Sequence, residues 1–293
     1  MNTFKNLKNK ILSFDWSPKY ERKRRDASPD GSILATVRNT ASMRKEDTIK
    51  HAAEKMLSLQ TRRVFLIDSV GRIEGVVTCK DIMNFLGGGE HYNLIKEKHQ
   101  GNLTAAMNEP VREIMTQRVT ALKSSNSLKD ALAHLKKTGL GGVPVERNDV
   151  LIGMITEKRI VNLMSKSLTG QLVKDHMAKE IIFGTPGETV LDISKTMARN
   201  SFRRIPILQE RHLVGIVTSK DLVFEFARQF SRDFLNTQIS RLMSKPKTID
   251  LNATLQDAAQ LMTQHNISGL PVMEGEKCVG MITAKDLIKA VQV

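Results

Sequence analysis

The sequence predicts a mixed α+β chain built from four copies of one strand-helix-strand-strand-helix unit, and three observations carry that expectation. The string Gly-apolar-apolar-Thr occurs four times, as Gly75-Val76-Val77-Thr78, Gly153-Met154-Ile155-Thr156, Gly215-Ile216-Val217-Thr218 and Gly280-Met281-Ile282-Thr283. Its threonines are spaced by 78, 62 and 65 residues. Three residues after each threonine stands Asp81, Arg159, Asp221 or Asp286, followed by an apolar stretch with helical spacing.

Taken in chain order, each unit repeats the same signals. A Ser or Thr cap opens a first helix at Thr48-Ile49-Lys50, Ser127-Leu128-Lys129, Thr189-Val190-Leu191 and Thr254-Leu255-Gln256. A short apolar strand comes next: Val64-Phe65-Leu66, Val143-Pro144-Val145, Ile205-Pro206-Ile207 and Leu270-Pro271-Val272. A proline there predicts a strand at a sheet edge or at its own start. Turn formers at Asp68-Ser69-Val70-Gly71, Arg147-Asn148-Asp149 and Glu274-Gly275-Glu276 predict hairpins into the strand that ends on the threonine. A second helix closes the unit.

A unit of about 55 residues is too small to bury both faces of its sheet, so the units are expected to pair, and four make two pairs. The expected organisation is a basic arm at 1–36, repeat 1 at 37–89, a partly helical insertion at 90–110, repeat 2 at 111–164, repeat 3 at 173–230 and repeat 4 at 239–293. The break between pairs falls in the polar stretch 165–172.

Composition narrows the function. At 40% hydrophobic and 26% charged, the chain reads as globular rather than disordered or membrane-filling. Two cysteines, Cys79 and Cys278, are too few for a secreted disulfide framework, so a reducing, cytoplasmic setting is expected. No run of about 18 uncharged apolar residues is present, and Lys5, Lys8 and Lys10 interrupt the N-terminus, so neither a membrane span nor a signal peptide is expected. The seven histidines lack HxxxH or HExxH spacing, and no Walker loop, GxSxG elbow or paired catalytic carboxylate occurs; neither a metal nor catalysis is expected. Lys and Arg number 45 against 31 Asp and Glu, and the excess of +14 draws polyanions: nucleic acid, anionic lipid, or phosphate esters.

On these four strings, and on the lead-ins Val111-Arg112-Glu113-Ile114-Met115-Thr116, Val173-Lys174-Asp175-His176-Met177 and Ile239-Ser240-Arg241-Leu242-Met243-Ser244, the sequence resembles CBS repeats over roughly 37–293. The first copy lacks the lead-in Met and has Thr36-Val37. Four repeats in one chain are similar to archaeal stand-alone CBS proteins and to the gamma subunit of AMP-activated protein kinase. The resemblance implies two antiparallel pseudo-two-fold pairs assembled into a disk, with AMP, ADP or ATP in the clefts and a protein partner that reads adenylate state; a homodimer stays open. The Asp, Arg, Asp, Asp series, with Arg159 in the context Thr156-Glu157-Lys158-Arg159-Ile160, implies at most three sites.

The residue chemistry suits such a ligand. Asp81, Asp221 and Asp286 can each accept bonds from a ribose diol, charge-assisted contacts of about 1.5–3 kcal/mol each. Arg159 offers donors only and suits a neighbouring phosphate. Thr78, Thr218 and Thr283 stand at strand ends that open helices, where backbone amides favour an anion. Arg62-Arg63 and Arg203-Arg204 lie where the family contacts phosphate, and Lys158 matches a phosphate-binding lysine of the family. The family's His-Arg pairs of repeats 2 and 4 are replaced by Gly141-Gly142 and Ser268-Gly269, which puts its phosphate network in doubt. The resemblance places adenine against the first strands, around Ser42-Met43, Thr120-Ala121, Phe183-Gly184 and Ile249.

Plainer readings stand beside these. Thr-x-x-Asp is also a helix capping box. The arginine pairs read equally as solvated strand ends, and the lysines two residues after each threonine, Lys80, Lys158, Lys220 and Lys285, as an exposed helix face. Two other functions stay open: a nucleic-acid-associated protein working through its basic surface and the arm with Phe14, Trp16 and Tyr20, and an S-adenosylmethionine sensor, which needs no phosphate cations.

Overall fold

The structure, a computed structural model, describes residues 33–291. The arm expected at 1–36 lies outside the described residues except for its last few, which form a single 3-10 turn, Ile33–Ala35. Unit 1 holds β1 (Ser42–Met43), the helix Ile49–Ser58, β2 (Arg63–Ile67), β3 (Ile73–Thr78) and the helix Cys79–Leu86. Unit 2 holds β4 (Leu122–Lys123), the helix Leu128–Thr138, β5 (Gly142–Arg147), β6 (Val150–Thr156) and the helix Glu157–Leu163. Unit 3 holds the helix Val190–Asn200, β7 (Arg204–Gln209), β8 (His212–Thr218) and the helix Ser219–Gln229. Unit 4 holds β9 (Ile249–Asp250), the helix Leu255–Gln264, β10 (Gly269–Glu274), β11 (Lys277–Thr283) and the helix Ala284–Ala290.

In units 1, 2 and 4 the short first strand runs parallel to the second, which pairs antiparallel with the third. In unit 3 the first strand shrinks to one parallel bridge between Gly184 and Ile207, leaving a two-stranded sheet. The prolines correct an expectation. Pro144 and Pro271 sit in central strands, β5 and β10, and not at an edge or a start. The geometry explains the tolerance: at the equivalent place in unit 1, Phe65 donates its N–H toward the first strand, to Ala41 at 2.9 Å. A proline therefore forfeits one bond to a two-residue neighbour and none to its antiparallel partner.

Two apolar cores hold the units together, and they join units that are not consecutive. Helices of units 1 and 3 share a core that includes Phe85, Phe224, Phe226 and Phe234; helices of units 2 and 4 share one of Leu, Ile, Val, Ala and Met. The sheets make the other connection. Arg38 bridges Met154 while Thr116 bridges Val76, so each unit's lead-in crosses antiparallel onto the last strand of its neighbour. Ala178–Met281 and Ser244–Ile216 repeat the exchange between units 3 and 4.

This crossing accounts for the glycine of the repeated string. A Cβ at Gly75 would stand 2.8 Å from the Met115 sulfur, at Gly215 2.4 Å from that of Met243, and at Gly280 2.6 Å from that of Met177. At Gly153, facing the lead-in that lacks Met, it would meet Val37 Cγ1 and the Arg38 carbonyl oxygen, both at 2.5 Å. The segment after unit 1 folds onto its core through Ile95, Leu103, Ala106 and Met107, anchored by Glu109 to Lys98 at 2.9 Å and His99 at 2.7 Å. Among the described residues no helix is long and apolar enough to cross a membrane.

Candidate functional site

The local fold of every unit brings two stretches together. The first residue of the second helix donates its N–H to the carbonyl of the residue just before the hairpin's first long strand: Cys79 to Arg62 at 3.0 Å, Glu157 to Gly141 at 3.4 Å, Ser219 to Arg203 at 2.9 Å and Ala284 to Ser268 at 3.1 Å. Four dipeptides are thereby pinned beside four helix starts. Units 1 and 3 supply Arg62-Arg63 and Arg203-Arg204; units 2 and 4 supply Gly141-Gly142 and Ser268-Gly269.

The arginines reach across to the small residues. Arg63 Nη1 donates to the Gly142 carbonyl at 3.1 Å, and the Ser268 hydroxyl accepts from both Arg62 Nη1 at 3.2 Å and Arg204 Nη2 at 2.8 Å. A Cβ at Gly141 would lie 2.6 Å from Arg203 Nη1 and 3.0 Å from Arg63 Nη2, and one at Gly269 would overlap the Arg204 guanidinium at 1.5 Å. Gly141 and Gly269, which stand where the resembled family has His-Arg, leave the space that Arg63, Arg203 and Arg204 occupy.

The result is a concentration of positive charge. Burial, with Arg62 and Arg203 nearby, pulls the Arg63 pKa down to about 10 and that of Arg204 to about 9, so both stay charged at neutral pH. Burial and then Arg62 and Lys220 lower the Lys158 pKa too. All four guanidiniums act on one carboxylate, Glu157, whose pKa burial raises while they pull it down. Asp286 acts on Arg204 from the flank.

The three aspartates keep both of their expected roles open. Asp81 Oδ2 accepts from the Thr78 N–H at 2.7 Å and hydroxyl at 2.8 Å, Asp221 Oδ2 from Thr218 at 3.0 and 2.7 Å, and Asp286 Oδ2 from Thr283 at 2.9 and 2.6 Å. Among the described residues, none hydrogen-bonds any of the three Oδ1 atoms. Asp192 and Asp257 make the same box with Thr189 and Thr254 on first helices, so the box by itself says nothing of a ligand. Environment separates them: cap bonds lower the pKa of Asp192 and Asp257, whereas burial outweighs the same bonds and raises that of Asp81. In unit 2, Thr156 caps with the Arg159 N–H alone, at 3.2 Å.

Other expected residues lie where their units place them, apart from the cluster. Ser42 and Met43 form β1, Thr120 and Ala121 lead into β4, Phe183 precedes the Gly184 bridge, and Ile249 pairs with Val272. The cluster's arginine bonds go to Gly142 and Ser268 and to none of these. Three of the four lysines after the threonines reach another unit, while Lys220 lies over the Phe224 ring of its own helix, 4.8 Å from the centroid. Lys80 donates to Ser201 at 3.3 Å and Lys158 to the carbonyl and side chain of Asn266, while Lys285 lies against Gly139. Each sits at the C-terminal end of a first helix in the opposite unit, where the helix dipole favours a cation.

Glu157 was not among the expected residues. The signal lay in aligning the residue after each threonine: Cys79, Glu157, Ser219 and Ala284, all buried, of which one is an acid. Ser268, too, emerges only from the crossing of Arg62 and Arg204 onto one hydroxyl.

A family model described as CBS domain matches residues 35–88, 111–166, 173–228 and 239–293. The chain belongs to the CBS domain family. A relative, the uncharacterized protein MJ1225 of Methanocaldococcus jannaschii, is 34% identical over 256 residues, which span 83% of this chain and 91% of that one. Its crystal structure, described as that of a suggested archaeal homologue of g-AMPK, superposes with a TM-score of 0.81 at 32% identity, covering 88% of this chain and 99% of the other. An uncharacterized conserved protein of Pyrococcus horikoshii is similar in fold to this chain at 18% identity, with a TM-score of 0.54 over 79% of this chain and 91% of its own. A staphylococcal inosine-5'-monophosphate dehydrogenase matches 38% of this chain but only 22% of its own length, so the likeness stops at part of that enzyme.

Proposed function

We propose that this CBS protein is a non-catalytic regulatory module that binds adenine nucleotides, AMP, ADP or ATP, and reports adenylate state to a partner protein. The observation that carries the reading is the convergence of Arg62, Arg63, Arg203, Arg204, Lys158 and Lys220 on a centre with one shared carboxylate. Half-buried guanidiniums with unspent N–H donors are a standing demand for a multiply charged oxyanion, and a phosphate chain meets it bidentately. The free Oδ1 atoms of Asp81, Asp221 and Asp286 add acceptors for a ribose diol, while the cap holds the other oxygen and fixes the carboxylate's orientation. The description of MJ1225 as a g-AMPK homologue supports the same reading. A phosphate-seeking centre favours nucleotides over S-adenosylmethionine, which brings a sulfonium and no phosphate.

Signalling requires that bound and free forms differ in affinity for the partner. Calorimetry of the full chain with AMP, ADP, ATP and S-adenosylmethionine tests the reading. At most three nucleotide sites are expected, with one lost in each of Asp81→Ala, Asp221→Ala and Asp286→Ala. Undiminished nucleotide binding by the triple variant would leave these aspartates as caps and nothing more.

A further inference from the structure

We infer that Glu157 is a built-in counter-anion that competes with the ligand's phosphates for the arginine cluster and thereby sets how much phosphate charge the centre accepts; the inference rests on the nucleotide reading above. Three features of the geometry carry it. The first is position: the residue after the helix-opening threonine is buried in all four units, and three of the four are Cys79, Ser219 and Ala284. The helix dipole favours an acid at this seat, but it does so equally at the other three helix starts, where Cys79, Ser219 and Ala284 stand instead. The reason for Glu157 must lie in what it faces.

The second is what it faces. Glu157 Oε2 lies 3.9 Å from Arg203 Nη2, and it meets Arg203 and Arg63 over the bare face of Gly141, where a Cβ would stand 3.5 Å from that oxygen. A separation of 3.9 Å is too long for a hydrogen bond. The carboxylate thus lowers the repulsion among guanidiniums without itself taking any of their N–H donors, one of which in each of Arg62, Arg63 and Arg204 goes to Ser268 or Gly142. A purely structural ion pair would consume those donors in a short bidentate contact. This one keeps the cluster folded and loaded.

The third is the sign of the charges. A phosphate entering the cluster satisfies the donors and meets Glu157 as a like charge at the same site. The penalty grows with each added ligand charge. Even at water's dielectric constant, a like charge about 6 Å away changes affinity about threefold for each ligand charge. The centre therefore discriminates by phosphate number, accepting the less charged ligand at lower relative cost.

The test is calorimetric titration of the full chain, wild type and Glu157→Gln, with two series: AMP, ADP, ATP, and inorganic phosphate, pyrophosphate, tripolyphosphate. Glu157→Ser, which copies the residue of unit 3, guards against a folding failure of the first variant. Neutralising Glu157 is expected to tighten binding by a factor that climbs along both series, from about tenfold for the least charged ligand toward about a hundredfold for the most charged. Weaker binding, or the same factor for every ligand, would overturn the role assigned to Glu157 and leave the nucleotide reading standing. Response of the inorganic series alone, with no nucleotide bound, would overturn the nucleotide reading and uphold the counter-anion. Failure of both series to bind wild type would end both.

Discussion

Units 1 and 3 differ from units 2 and 4 in opposite directions at two levels. The first two contribute aromatic bulk to their shared core and arginine to the centre; the other two contribute an aliphatic core and, at the centre, glycine and serine. Taken one unit at a time, units 2 and 4 look like copies that have lost the arginine pair. Set against their neighbours, they supply the space and the acceptors that the arginines of units 1 and 3 use. The lesson is that a charged side chain and the empty volume it needs can be contributed by different repeats, and a repeat-by-repeat inventory counts only the first.

The largest effect that would break this contrast is removal of the crossing arginines. Arg63→Ala combined with Arg204→Ala should weaken nucleotide binding by about a hundredfold or more, at about 1.5–3 kcal/mol for each charged contact. Lys277→Ala, an exposed cation on β11, should leave calorimetric affinity unchanged. Next comes the receiving side. Gly269→Ala drives a methyl into the Arg204 guanidinium and is expected to cost about 1–3 kcal/mol, read as a fall in melting temperature together with weaker nucleotide binding. Gly187→Ala, with nothing within 4 Å, is the matched control and should be close to neutral. A tolerated Gly269→Ala with full affinity would show that the glycine is incidental.

A finer cut separates caps from ligands. Asp192→Ala and Asp221→Ala each remove one side of a capping box and should each cost about 1 kcal/mol of stability. Only Asp221→Ala should also lose nucleotide affinity, by about tenfold for a charge-assisted contact. Equal calorimetric behaviour would reduce Asp221 to a cap. The smallest expected effect concerns the segment that widens unit 1. Lys98 and His99 hold the Glu109 carboxyl below its ordinary range. A depressed folded value means that the stabilisation is present above the ordinary glutamate pKa and is lost as pH falls through the folded one. Amide exchange in the helix Leu103–Met107 should therefore quicken relative to the unit 2 and 4 core only in acid, and Glu109→Gln should abolish that pH dependence.

Much of the fold was legible because its signals are local. The capping residues Thr48, Ser127, Thr189 and Thr254, the Asn148-Asp149 turn and the glycine-to-threonine strings each act within a few residues of themselves. What was not legible depends on contacts between units. Pro144 and Pro271 suggest an edge until the first strand is seen to be two residues long. Lys80, Lys158 and Lys285 look solvated until the opposite helix ends come into view. Of the centre, Arg62-Arg63, Arg203-Arg204 and Lys158 could be named from the sequence. Gly141, Gly269 and Ser268 could not, since a residue chosen for what it leaves out has no pattern of its own. Glu157 lay between: visible on comparing four buried positions, hidden when each copy was taken alone.

The exchanged lead-ins have one more consequence. Units 1 and 2, like 3 and 4, are tied along a row by crossed straps, while the apolar cores tie 1 to 3 and 2 to 4 down the columns. In such a two-by-two weave no square can be lifted out without tearing both a row and a column. A fragment holding a single row would bare half of each column, aromatic at one end and aliphatic at the other.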